Sequence, residues 1–194
     1  MEFKDYLKYR WFYTSSGKLV VGGKNAEQNE QLIRKLKEQK NDLQALHTTE
    51  PGSPFSFILA EANEISEVDI KEGAIFTACF SQAWKSKKKQ TSVDIFKLSS
   101  LYKVSKMKIG TWGVKGEIKR ITVTLSLVLT KQNKKLRAVP PISVKSKKDI
   151  ILHLSPGKID KSFILPKIQI AVEESLNQQE LLNALPAGGL SIKK

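Results

Sequence analysis

The 194-residue sequence is poor in the residue types that most enzymes rely on: one cysteine, two histidines, and 19 acidic residues against 33 lysines and arginines. A lone Cys79 excludes an internal disulfide and any cysteine-rich zinc site, and it suits a reducing compartment. It lies in an apolar stretch and is expected in the core rather than as a nucleophile. His47 and His153 are 106 positions apart and belong to no HxxxH, HExxH or Cys/His spacing, so neither a metal nor a cofactor is expected. A P-loop is missing as well, because Gly22-Gly23-Lys24 lacks the upstream glycine and the Ser/Thr that follows the lysine. No apolar run reaches 18 residues, and the opening MEFKDYLKYR has neither an h-region nor a cleavage site. The expectation is a soluble, cytoplasmic protein with no membrane association.

What the chain has in excess is positive charge, with a net +14 and pI near 9.8. That charge is unevenly placed. From Gln82 to Lys148 there are 18 lysines or arginines against two acids, a net +16, while the remainder holds 15 basic and 17 acidic residues, a net −2. A middle third this basic beside near-neutral flanks implies a surface that faces a polyanion, with nucleic acid the leading candidate. Length and an apolar content of 40% suit one domain, or one domain with a compact annex. The division expected is 1–130 for the basic unit and 131–194 for a C-terminal extension packed on it.

The segment Gly17 to Arg34, GKLVVGGKNAEQNEQLIR, organises the rest. Leu19 to Val21 is a β-branched run, Gly22-Gly23 stops it, and a helical pattern follows from about Asn25 to Lys40. Asn25 is a candidate N-cap, with Gln28 at the capping-box position. Free N–H groups at such a helix start favour an anion, and Lys24 stands beside them. Arg10 to Thr14 reads as a strand pairing with Leu19 to Val21, Asp42 to His47 and Phe55 to Leu59 as strands, and Thr48 to Pro54 as a turn that two prolines prevent from continuing. Ser66 caps a mostly buried helix whose apolar positions run from Ile70 to Trp84, straight into Lys85, Lys87, Lys88 and Lys89. Val93 to Leu98 is a strand, Ser99 to Gly116 is irregular, and Ile118 to Thr130 alternates as one long strand returning through Leu136 to Val139. Asp149 to Leu154 reads as a strand, Pro156-Gly157 as a turn, Pro166 to Leu176 and Gln178 to Leu185 as helices, and Leu190 to Ile192 as a last strand. The class is α+β, a mainly antiparallel or mixed sheet with two principal helices and a smaller C-terminal α/β extension.

Candidate contact residues follow from charge and position. Lys24, Asn25 and Gln28 surround the helix start. His47, at the mouth of the Pro51-Gly52-Ser53-Pro54 turn, could touch phosphate or ribose with Ser53 beside it, could be a polar strand end satisfied by the loop, or could act as an acid/base group. Lys85, Lys87, Lys88 and Lys89 are a solvated face or a phosphate-binding one. For Trp84 a place in the core outweighs base stacking.

Several of these stretches occur together in a known order. Arg10-Trp11-Phe12 with Gly17 to Glu30, then His47-Thr48 with Pro51 to Pro54, then Ala78-Cys79-Phe80-Ser81-Gln82-Ala83-Trp84-Lys85, and Val104-Ser105-Lys106, resemble the NFACT-R domain. That domain is the RNA-binding module of the NFACT proteins of ribosome-associated quality control. The closing Ala184 to Gly189 is similar to archaeal members. Two stretches depart from the pattern: Gln82 stands where Arg is usual, and Met107 to Gly116 replaces a proline-containing GE-type turn and glycine-flanked aromatic segment. The resemblance implies RNA contacts by Arg10, Asn29, Ser81, Ser105 and Lys106 as well, with Lys115 in the adjoining glycine-rich stretch. It implies a standalone or excised RNA-binding part that binds tRNA or ribosomal RNA of the large subunit and catalyses nothing alone. Two other classes stay open on the residues: an enzyme that modifies or cleaves RNA at His47, and a protein-interaction module at the ribosome.

Overall fold

Val20-Val21, Ala45-Leu46, Phe57-Ile58 and Ile95-Phe96 are neighbouring pairs in which both members are buried. A strand points successive side chains to opposite faces, so such pairs require a sheet covered on both sides. The computed structural model, which describes residues 3–39, 41–172 and 178–193, has that arrangement. Strands β1 (Arg10–Tyr13) and β2 (Leu19–Gly22) form a hairpin, followed by helix α1 (Ala26–Glu38), β3 (Gln44–Thr48), β4 (Ser56–Leu59), α2 (Glu67–Cys79) and α3 (Gln82–Lys85). Then come β5 (Gln90–Lys97), the two-residue strands β6 (Leu101–Tyr102) and β7 (Gly113–Val114), and β8 (Lys119–Thr124). Six of these strands make an antiparallel sheet in the order β1-β2-β4-β3-β5-β8.

One face of this sheet, carrying Trp11, Val21, Ala45, Phe57 and Phe96, packs with Leu32, Ile33 and Leu36 of α1. Each of these three helical side chains is fully buried, which stabilises by about 1.5–3 kcal/mol apiece as an upper figure. The opposite face, with Phe12, Val20, Leu46, Ile58 and Ile95, meets Ala74, Phe76 and Ala78 of α2. The chain continues through β9 (Leu127–Gln132), β10 (Lys135–Val139), β11 (Leu152–Ile159), α4 (Lys161–Val172), α5 (Gln178–Ala184) and β12 (Leu190–Lys193). These strands form a second antiparallel sheet, β10-β9-β11-β12, whose apolar residues belong to the α2-side core. The class is α+β, with all strand pairs antiparallel among the described residues.

Four local expectations are corrected. The helix from Ser66 does not run to Trp84. It stops at Phe80, because the Ser81 hydroxyl donates to Ala78 O at 2.7 Å, accepts from Ala83 N at 3.1 Å, and so caps α3 instead. Residues 118–130 are two strands in two sheets, not one. Val123, Leu125, Leu127 and Leu129 all enter the same core, so alternation persists through Leu125-Ser126 while the backbone changes partner. Pro156-Gly157 lies inside β11 at a register shift against Leu190, a bulge being a place where a strand tolerates proline. Finally α4 begins at Lys161, so Pro166 lies inside it rather than in its first turn. The bond that its missing N–H gives up is offset by the burial of Ile164, Leu165 and Ile168. The part of that expected helix over residues 173–176 lies outside the described residues.

Candidate nucleic-acid interface

The turn that joins β2 to α1 is held by local hydrogen bonds. Asn25 caps the helix by accepting from Gln28 N at 2.8 Å, and the Gln28 side chain accepts from Lys24 N at 3.0 Å rather than from the N-cap amide. The Lys24 and Gln28 amides are therefore both occupied and not open to an anion. A Cβ added at Gly23 would collide with Asn29 Oδ1, so glycine is required there by close packing. Asn29 is buried, and its Oδ1 accepts from Phe55 N at 3.2 Å, which ties the loop before β4 to α1. In that loop the buried Ser53 hydroxyl accepts from Thr48 N at 3.0 Å and donates to Pro54 O at 3.1 Å. The Gln82 amide donates to Gly52 O at 2.9 Å, so α3 is fastened to the same loop.

These elements enclose a cleft of about 490 Å3, lined by Arg10, Lys24, Asn25, Asn29, His47, Ser53, Phe80, Ser81, Lys85 and the Ile109 to Trp112 stretch, among others. Among the described residues no carboxylate lines it. Its fourth side comes from the loop that the sequence left irregular. Glu30 of α1 accepts from Gly110 N and Trp112 Nε1, both at 3.1 Å, from Arg34 Nε at 2.9 Å, and from the Lys103 ammonium. Burial pushes the Glu30 carboxyl up, but these bonds outweigh it and hold it below the usual range.

The electrostatics of the cleft are one-sided. Arg10 lies with its guanidinium carbon 4.5 Å over the Phe80 ring, and burial pulls it down to about 10. Among the described residues neither Arg10, Lys24 nor Lys85 is in an ion pair. Lys24 is lowered first by burial, then by the charges of Arg10 and Arg137. Lys161, at the start of α4, donates to Leu185 O at 3.3 Å and is pulled down to about 8 by burial and by Arg10 and Lys85, against a smaller opposing effect of Asp160. Crowded, partly desolvated cations raise one another's energy, and an anion entering between them relieves it. His47 donates Nδ1–H to Thr48 O at 2.6 Å, since a carbonyl can only accept. Its ring lies 4.3 Å from that of Phe55, and burial lowers it despite the Thr48 carbonyl and Asp94. Neutral His47 thus keeps Nε2 without a hydrogen bond among the described residues.

Of the residues expected from sequence, Arg10, Lys24, Asn25, Asn29, His47, Ser53, Ser81 and Lys85 come together on the cleft. Gln28 supports it from behind. Lys87, Lys88, Lys89, Lys106 and Lys115 lie off its lining, with Lys88 paired to Glu50 at 2.6 Å. Ser105 belongs to a separate shallow hollow beside Trp112. Sequence reasoning missed Phe80, Trp112 and Lys161. The serine after Phe80 was the available signal, since an N-cap there ends the helix and frees the ring; nothing local marks Lys161.

A family model described as the NFACT protein RNA binding domain matches residues 8–116, more than half of the chain. The chain belongs to the NFACT RNA-binding family. The matched span of this NFACT domain runs from before β1 through β7, so it holds every cleft-lining residue except Ala187. No curated protein matches the chain. Among solved structures, the C-terminal part of the fibronectin/fibrinogen-binding protein from Streptococcus suis is similar with a TM-score of 0.53 and 23% identity. That similarity covers 60% of this NFACT chain and 45% of the other, and it speaks for the fold alone.

Proposed function

We propose that this NFACT domain is a non-catalytic, cytoplasmic RNA-binding module that holds tRNA or large-subunit ribosomal RNA in ribosome-associated quality control. The observation that carries the reading is Arg10: a largely desolvated guanidinium lying on Phe80, with Lys24, Lys85 and Lys161 around it and, among the described residues, no carboxylate on the cleft. A phosphate between these cations is a compensation that the described residues do not supply, and Phe80, His47 and Trp112 offer ring faces to a base. Against catalysis stand the hydroxyls of Ser53 and Ser81, both committed to backbone partners, and the Cys79 thiol, which burial pushes far up. Photocrosslinking with 4-thiouridine-labelled RNA tests the site: adducts should map to Phe80, His47 or Trp112, and adducts confined to the Lys145 to Lys148 stretch would sink it. Sequencing RNA crosslinked in cells tests the substrate class, with enrichment of tRNA or large-subunit rRNA expected and a spread over messenger RNA contradicting it.

A further inference from the structure

Two polar groups on the cleft are left over once its internal hydrogen bonds are assigned. Asn29 lines the cleft and is only 8% exposed. Phe55 N can only donate, so the atom it meets at 3.2 Å is Oδ1, and the two N–H groups of Nδ2 have no hydrogen-bond partner among the described residues. His47 supplies the second group. Its Nδ1–H is used on Thr48 O, which leaves Nε2 as a lone-pair acceptor with no donor to it among the described residues. Asp94, across the sheet from His47, is engaged by Arg120 and by the Thr49 hydroxyl. Phe55 joins the two groups, since its ring lies 4.3 Å from the His47 ring while its amide holds Asn29. Neither Nδ2 nor Nε2 is sealed from solvent as Trp11 Nε1 is, and the cleft is the space that both residues line. A donor and an acceptor held through one phenylalanine call for a ligand group that offers both. A phosphodiester offers acceptors alone, so it could satisfy Asn29 but not neutral His47. The ribose 2′-hydroxyl is donor and acceptor in one, and deoxyribose lacks it.

We propose that the cleft reads the sugar of the strand seated in it: a ribose 2′-hydroxyl donates to His47 Nε2 and accepts from Asn29 Nδ2, while Arg10, Lys24 and Lys85 meet the phosphates. This rests on the RNA-binding reading above and adds to it a means of refusing DNA. Cations attract both nucleic acids alike, so charge alone gives no such choice. Affinity then comes from the basic side chains, and the selection of ribose from the pair held on Phe55. The cleft volume of about 490 Å3 is ample for one nucleotide.

The test uses the full chain and fluorescein-labelled oligoadenylates of about 12 nucleotides built on ribose, 2′-deoxyribose or 2′-fluororibose. Fluorine at the 2′ position keeps the ribose-like pucker and removes the donor, so it separates the hydroxyl from the shape of the backbone. Anisotropy at neutral pH and one salt concentration gives the three affinities. The parent should bind the ribose strand about fivefold to tenfold more tightly than either of the others. His47→Phe, which keeps a ring against Phe55, should hold all three within about twofold. Asn29→Asp keeps an oxygen for Phe55 N and loses the donor. Its added negative charge weakens every strand, but the ratio between sugars cancels that effect and should shrink below about threefold. Melting curves are taken for both variants, and if one does not fold the other carries the comparison, while the parent's own ratio needs neither. A parent that binds no strand overturns the RNA-binding reading itself. A parent that binds the ribose and 2′-fluororibose strands equally overturns the reading of the sugar and leaves RNA binding intact. Folded variants whose ratios match the parent's would remove His47 and Asn29 from that reading.

Discussion

Trp84 separates a structural account of the Phe80 to Lys85 segment from a binding one. Its side chain is fully buried, and Nε1 donates to Gly189 O at 3.1 Å, joining α3 to the turn before β12. Trp84→Phe removes that bond and part of the ring, and the Gly189 carbonyl loses a partner, at a cost of about 1–2 kcal/mol. Trp84→Ala adds a cavity, for a total near 4–6 kcal/mol when a large aromatic truncation is about 3–5. Against a total stability of about 5–15 kcal/mol this approaches the whole margin. For a chain of this size 1 kcal/mol moves Tm by about 2–4 °C, so Trp84→Phe should melt about 3–6 °C lower and Trp84→Ala at least about 10 °C lower. Calorimetry or circular dichroism melts measure both. A Trp84→Ala protein that melts within about 3 °C of the parent, yet loses RNA affinity, would refute the reasoning and make the indole a binding platform.

Glu30→Ala should loosen the cleft wall formed by the Lys103 to Trp112 loop, since it strips the partner from Lys103, Gly110 N and Trp112 Nε1 at once. Losing about 2–3 kcal/mol of local stability would speed tryptic cleavage at Lys106 or Lys108 about thirtyfold or more, and unchanged cleavage would contradict the anchoring role. Asp69 is buried, and although burial pushes its carboxyl up, bonds from Ser16 and Ser66 bring it down to about 2. A carboxyl lower in the folded than in the unfolded state stabilises above its unfolded pKa, so about 2 kcal/mol present at pH 5 is lost as pH falls from about 4 toward 2. Urea titrations of parent and Asp69→Asn should show a stability gap that narrows across that window, and a gap of constant size would be the wrong result.

The elements that sequence revealed were those whose signals are local. Asn25 and Ser66 each cap a helix with a side chain three residues from the amide it accepts from. What escaped depended on partners distant in sequence. Alternation from Ile121 to Leu129 gave the buried face correctly but carried no mark of the change of sheet at Leu125-Ser126. The same holds for the site: glycines, asparagine and lysine around residue 24 pointed to an anion, while the repulsion between Lys161 and Arg10 joins residues 151 positions apart, which no local pattern marks. The lysine run after Trp84 divides between the cleft and its surroundings. It contributes Lys85 to the cleft lining, but Lys88 is spent on Glu50.

The central claim is that RNA affinity is concentrated at the Arg10 cleft and is not a sum over a diffuse basic surface. Arg10→Gln and Lys147→Gln each lower the net charge from +14 to +13, one inside the cleft and one on an exposed turn. Anisotropy with the same RNA at one salt concentration, after melting curves show both variants folded, measures the difference. The account predicts a loss of about tenfold to a hundredfold for Arg10→Gln, as for a desolvated charge-assisted contact of about 1.5–3 kcal/mol, and less than about twofold for Lys147→Gln. Equal losses from the two folded variants would contradict it.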